Sequence, residues 1–299
     1  MNDASATDWQ RAAQVRRERV PLGILFMVGA TIMFAGSSAI SKWQVAIYPV
    51  GEVLFIRSAV SLLCCALFIL PQAGWAVFRT VRAHHHTLRS LSQAFSQAFI
   101  LIAFSLMPLA GAIAINFSAP LFATLISALV LKEAVGPARF AALVAGFVGV
   151  LIVTNPGADT FQIGALFALA NAVLYGSVTA GVRGMTATES AETLTMYQMV
   201  LITFFFALTL PFGFVVPSRA DAAMLALNGA TNALGQYWWT RALHLAPASA
   251  VTPLYYLSLV WAMFFGYAIW GDIPTVSLLL GSAIVVASGV FLLWRETRR

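Results

Sequence analysis

The chain has 299 residues, of which 60% are hydrophobic and 9% charged, with a mean hydropathy of +0.86. Soluble chains carry roughly 25% charged residues, so this composition excludes a water-soluble globular protein and makes lipid the expected solvent for most of the molecule. A formal charge of +6 would suit nucleic acid only if the basic residues shared one solvated face, and they do not.

In chain order, residues 1–20 read as a polar, basic cytoplasmic tail. No small-residue cleavage site follows the first apolar stretch before the next, so a retained membrane helix is expected there, not a removed signal. Ten segments approach the ~20 apolar residues that cross a bilayer. They cover residues 22–41, 50–70, 88–107, 110–131, 138–154, 162–180, 193–215, 221–243, 249–270 and 275–294. Arg11, Arg16, Arg17 and Arg19, then Arg79, Arg82, Arg89, Lys132, Arg139, Arg183, Arg241, Arg295, Arg298 and Arg299 all fall on one side of these spans. Lys42 and Arg219 fall on the other. Positive charge stays inside, so both termini are expected in the cytoplasm, which an even number of spans permits.

Between the second and third spans, residues 79–86 form the longest non-spanning stretch, expected as a solvated loop with Trp75 and Phe78 in a short amphipathic segment. His84, His85 and His86 are consecutive and cannot converge on one metal ion. Cys64 and Cys65 are adjacent, so they read as packing residues without a bridge.

The chain repeats itself. A shift of 139 residues sets residues 92–97 on 231–236, Pro108 on Pro247 and Glu133 on Asp272. A shift of 141 pairs Gly23 with Gly164, Phe26 with Phe167, Phe34 with Tyr175, Ser38 with Thr179 and Lys42 with Arg183. Five spans per repeat is odd, so the halves (residues 21–155 and 156–294, then a short tail at 295–299) must enter the membrane in opposite directions. The expected fold is therefore all-α integral membrane, ten helices in two inverted five-helix repeats.

Arg57, the stretch from Pro108 to Pro120, Glu133, the Gly146-x-x-Gly149 helix, the run from Arg241 through Pro247 to Pro253, and Gly271-Asp272 together resemble the drug/metabolite transporter superfamily in its EamA-type branch. Many members have Glu at the position of Asp272. The aromatic run Tyr237-Trp238-Trp239 with Tyr255-Tyr256 is most similar to the YddG-type aromatic amino-acid exporters. The resemblance implies a prokaryotic inner-membrane carrier that exports small metabolites.

Polar side chains at mid-depth usually face a bundle interior or a wet cavity. Asn228, Asn232 and Gln236 fall at i, i+4 and i+8 on the eighth span, continued by Trp239, and Gln93 and Gln97 occupy the matching positions of the third. Asn116, Asn171, Tyr175, Tyr255 and Tyr256 complete an expected substrate-binding set, suited to an aromatic or neutral amino acid. The alternative is that these groups bond helix to helix, each worth about 0.6 kcal/mol. Pro120 and Pro253 free backbone carbonyls, and with Lys42 and Arg57 they are candidates for anchoring or gating. Arg57 has two readings, attracting an anion or anchoring the helix with its head turned toward Glu52; anchoring is favoured because the position resembles a general feature of the family. Ala145-x-x-x-Gly149 and Ala283-x-x-x-Ala287 read as close helix packing.

All acidic residues and histidines lie in tails, loops or helix ends, so alternating access without obligatory proton coupling is expected. No nucleotide-binding loop or catalytic motif is present, and no cofactor, metal or enzymatic activity is expected. A proton-coupled drug or metabolite exporter is the alternative within the class; a non-transporting scaffold or intramembrane enzyme is the alternative outside it. The implied partners are a small-molecule substrate and membrane lipid, with monomer and homodimer both open.

Overall fold

The computed structural model describes residues 20–80, 82–130, 137–154, 163–185, 189–246 and 251–297. The basic tail, Lys132 and Glu133, the boundary between the halves near residue 155, Pro247 and the last two arginines lie outside the described residues. Every described element is helical, as lipid demands when the backbone must satisfy its own hydrogen bonds. The helices are α1 (Val20–Val45), α2 (Val50–Ala73), α3 (Ala83–Leu106), α4 (Leu109–Asn116), α5 (Ala119–Val130), α6 (Pro137–Thr154), α7 (Ile163–Met185), α8 (Ala191–Ala207), α9 (Arg219–Leu245), α10 (Leu257–Trp270) and α11 (Val276–Thr297).

Two expected spans are broken. The fourth divides into α4 and α5 at Phe117 and Ser118, and the ninth enters as a 3-10 turn, Thr252–Tyr256, before α10. The cause in the fourth is Pro120. It has no N–H to give the Asn116 carbonyl, and its ring would clash there in a continuous helix; as the second residue of α5 it falls in a first turn, where no donor is needed. Pro253 sits likewise in the first turn of the 3-10 segment. Upstream, Pro108 forces Met107 into an extended conformation (φ −150°, ψ 165°), which ends α3 and starts α4.

Among the described residues, three helical stretches are long and apolar enough to cross a membrane: Val20–Val45, Val50–Phe78 and Glu192–Phe212. Leu109–Ala123, Phe140–Thr154, Ile163–Val178, Leu254–Trp270 and Val276–Phe291 are shorter apolar helices. That class includes both interrupted spans, the fourth and the ninth. α9 falls outside it because it carries Asn228, Asn232, Gln236 and Arg241.

Helices pack in matched pairs: α1 against α9, α3 against α7, α2 against α8 and α6 against α11. The α6 and α11 backbones approach closely. A Cβ at Gly149 would stand 2.9 Å from the Gly281 carbonyl, and one at Gly281 would stand 2.7 Å from that of Gly149. Small residues do carry this crossing, but through Gly281; Ala145, Ala283 and Ala287 are exposed instead, one face away.

The expected loop before the third span is also corrected. Residues 74–78 form an exposed 3-10 turn with Trp75 77% exposed, and α3 already includes His84 to His86. His86 is fully buried, stacked on the Tyr197 ring at 4.5 Å between centroids. Its Nε2 stands 3.9 Å from a Glu189 carboxylate oxygen, too far for a hydrogen bond. Glu189 instead accepts from Thr80, Tyr197 donates to the Phe78 carbonyl, and Arg89 donates to that of Leu194. Together they tie the α2–α3 connection to the start of α8. Burial, then Arg89, holds the His86 imidazole below its ordinary pKa, so the buried ring is neutral at pH 7.

Candidate functional site

Where α4 breaks, its last residue turns into a cavity of about 110 Å³ lined by Asn116, Phe117, Ala119, Pro120, Tyr175, Tyr255 and Tyr256. The break explains the lining: interrupting the helix at residue 117 lets Asn116 and Phe117 face inward beside the start of α5. Rings frame the space. Phe117 meets Tyr255 at 5.8 Å and Tyr256 at 5.0 Å, both edge to face, and Tyr255 meets Phe34 of α1 at 6.1 Å. Such T-shaped pairs fix ring orientations. Tyr256 reaches Gly289 of α11, where any Cβ would collide with its hydroxyl.

One amide chain reaches the cavity. Ser96 of α3 donates to the Asn171 side-chain oxygen at 2.6 Å, and Asn171 Nδ2 donates to Asn116 Oδ1 at 2.6 Å. Asn171 and Ser96 are buried; Asn116 is half-buried at the wall. The amide oxygen of Asn116 is thereby engaged, and its NH2 group, a donor, has no acceptor among the described residues.

The other polar residues expected at the site lie in a second cluster. Asn228 is fully buried between α1 and α9, accepting from Ser37 at 2.6 Å and donating to Ser41 at 2.9 Å and Gln44 at 2.7 Å. These are helix-to-helix bonds, the alternative weighed for it. Asn232 donates to Ser61 of α2, and Ser61 to the Gly229 carbonyl. Gln97 accepts from Arg57 Nη2 at 2.7 Å, Gln93 is buried, and Gln236 is half-buried one turn beyond Asn232. The α9 stripe therefore forms no single cavity wall. Trp239 departs from it altogether: it is 37% exposed near the end of α9, beside Tyr237, which stacks on Phe68.

Arg57 does not turn toward Glu52. The Glu52 carboxylate instead accepts from the Val215 backbone N–H at 2.9 Å, holding the α8–α9 connection. The Lys42 Nζ donates to the Phe104 and Met107 carbonyls at 3.0 and 2.6 Å and lies 5.3 Å from the Trp270 ring centroid. This one ammonium joins the ends of α1, α3 and α10.

Phe34 and Phe117 escaped the sequence reading because neither is polar. The repeat contained the signal: Phe34 is the 141-residue mate of Tyr175, Phe117 the 139-residue mate of Tyr256, and Asn116 that of Tyr255. Each half contributes its own copy of the same three positions.

The sequence model of the EamA-like transporter family matches residues 21–155 and again 162–294. A riboflavin transporter of Rhizobium johnstonii is 31% identical over 97% of this chain and 97% of its own length. A pseudopaline exporter of Pseudomonas aeruginosa is 27% identical over 90% of this chain and 95% of its own. An S-adenosylmethionine uptake transporter of Rickettsia conorii is 24% identical over 92% and 94%. One crystal structure, 18% identical, covers 93% of this chain and 99% of its own at a TM-score of 0.63, a likeness of fold. The expectation of an amino-acid substrate, and with it the closer likeness to aromatic amino-acid exporters, gains no support from these relatives.

Proposed function

The chain belongs to the EamA-like transporter family, and from that premise we propose that it carries a flat, uncharged heteroaromatic metabolite of the riboflavin kind across the inner membrane of a bacterium. The observation that carries this reading is the ring-framed cavity at the broken fourth and ninth spans. Phe117, Tyr175, Tyr255 and Tyr256 offer faces and edges to a planar ring system, and the Asn116 NH2 offers a donor to the carbonyls on its rim. The riboflavin relative, similar along its whole length, points to the same solute class.

The two family matches support two repeats with a boundary near residue 155. The helix pairing supports a twofold relation between them: exchanging each span for the one five places later turns the first-with-eighth pair into the sixth-with-third pair, and returns the second-with-seventh and fifth-with-tenth pairs to themselves; five spans in each half then make that relation an inversion. Interrupted helices at the repeat interface are where inverted-repeat carriers place their sites. At about 110 Å³ the cavity is smaller than the roughly 300–1,000 Å³ typical of ligand pockets, so this conformation holds it partly closed, and alternating access would widen it. With both termini in the cytoplasm, Lys42 closes the outer end. Transport follows the solute gradient without an obligatory proton, because the described residues of the cavity wall include no carboxylate or imidazole. Direction is then set by the gradient.

The test is uptake of labelled riboflavin into liposomes holding the purified protein, with and without a pH gradient. Riboflavin should equilibrate equally in both, and Tyr255→Leu should slow it by up to about tenfold, the worth of one aromatic contact. Accumulation driven by the pH gradient would remove the uniport reading. Absence of riboflavin movement in folded protein would remove the substrate.

A further inference from the structure

Among the described residues, Arg57 is a cation inside the bundle without a counter-ion. Its Nη2 donates to Gln97 at 2.7 Å and its Nη1 only weakly to Ser41 at 3.4 Å, both neutral acceptors. Its Nε has no acceptor among the described residues, yet it is not among the sealed, partnerless atoms, whereas the Arg89 Nε is; it keeps accessible surface. The one carboxylate on its own helix, Glu52, is engaged by Val215. The other cations of the bundle behave differently: Lys42 and Arg89 each direct their heads to backbone carbonyls. An ionised side chain held at depth in a membrane protein meets an opposite charge or backbone carbonyls, or marks a substrate path, and among the described residues Arg57 meets neither.

The position also connects to the cavity. Gln97, which orients the guanidinium, follows Ser96 on α3, and Ser96 leads through Asn171 to Asn116 at the cavity wall. The residue that holds the arginine and the residue that starts the amide chain to the cavity are thus neighbours on α3. We propose that Arg57, held by Gln97 and Ser41, is an anion subsite that takes a carboxylate or phosphate group carried by a transported solute. A guanidinium presents a planar fork of donors that matches such a group two bonds at a time. The inference rests on the carrier reading but not on riboflavin, which has no anionic group; it extends the solute range to flavin phosphates or aromatic acids.

The experiment is thermal unfolding of the purified full-length protein in uncharged detergent at constant ionic strength, with chloride replaced by inorganic phosphate or benzoate. Wild type should gain about 2–4 °C in Tm with either anion, and Arg57→Gln should lose that gain. Should R57Q fail to fold, Gln97→Glu supplies the absent carboxylate internally: it should melt no lower than wild type in chloride and ignore both added anions. A wild type indifferent to both anions, or a Q97E variant that still responds, overturns the proposal. A rise with phosphatidylglycerol alone, and none with benzoate, overturns it too by assigning the site to lipid. If riboflavin is not transported while the anion shift depends on Arg57, the subsite stands and the flavin reading falls.

Discussion

The α1–α9 seam and the α3–α7 seam pair corresponding helices of the two halves, and they use their polar residues in opposite ways. In the first, Asn228 is enclosed by Ser37, Ser41 and Gln44, and its amide is consumed by helix-to-helix bonds. In the second, Ser96 and Asn171 pass hydrogen bonds on to Asn116, a residue of the cavity wall. Duplication supplied one packing plan twice. Both seams meet an interrupted span, α7 the fourth and α1 the ninth; what separates the outcomes is the partners, because α1 side chains enclose the Asn228 amide whereas Asn171 bonds onward to Asn116 at the cavity wall.

Steric substitutions should break the comparison most strongly. A Cβ at Gly176 of α7 would stand 2.7 and 2.8 Å from backbone atoms of Ala119 and Ala123 on α5, and backbone cannot move aside. Gly176→Val is expected to cost about 3 kcal/mol, read as a large loss of Tm and of folded yield. At Gly29 on the other seam the obstacle is the Trp238 ring, at 2.8 Å. Because a side chain can turn, Gly29→Ala should cost nearer 1 kcal/mol.

Polar substitutions should sharpen the contrast by dividing stability from transport. Asn228→Leu strands three buried partners and should destabilise by about 2 kcal/mol, while uptake per folded molecule changes less than about twofold, on the order of 0.4 kcal/mol. Asn116→Ala should do the reverse: uptake falls about tenfold, equivalent to roughly 1.4 kcal/mol, and Tm shifts little because the residue is half-buried at the wall. Equal transport loss in both variants would mean that the first seam belongs to the site as well.

The smallest effect lies away from both seams. The His86 imidazole is held below its unfolded value of 6.5 by burial, with Arg89 adding to it. The unfolded chain therefore takes up the proton first, and stability is lost as pH falls through 6.5 toward the lower folded value. Thermal unfolding between pH 7.5 and 5.5 should show this decline, and His86→Phe, which keeps a ring against Tyr197, should flatten it.

Much of this architecture was legible in the sequence because its causes are local or periodic. The apolar runs, the repeat and Gly149 as a packing residue all follow from composition and spacing, whereas Gly281, its partner in the α6–α11 crossing, lay outside the expected motifs. Asn116, Asn171, Tyr175 and the Tyr255-Tyr256 pair could be picked out as polar or aromatic groups at membrane depth, and the structure gathers them around one cavity or its amide chain. Asn228, Asn232 and Trp239 shared their helix face but not their fate. Periodicity reports which side chains point the same way, and only the neighbouring helix decides whether they meet a serine, a void or lipid. The same limit hid Phe34 and Phe117, and it left Arg57 between two readings. The sequence by itself determined that the chain is a helical membrane carrier in two copies. The tertiary structure decided which polar residues are joints and which line a site, because that depends on where a proline break leaves space between helices distant in the chain.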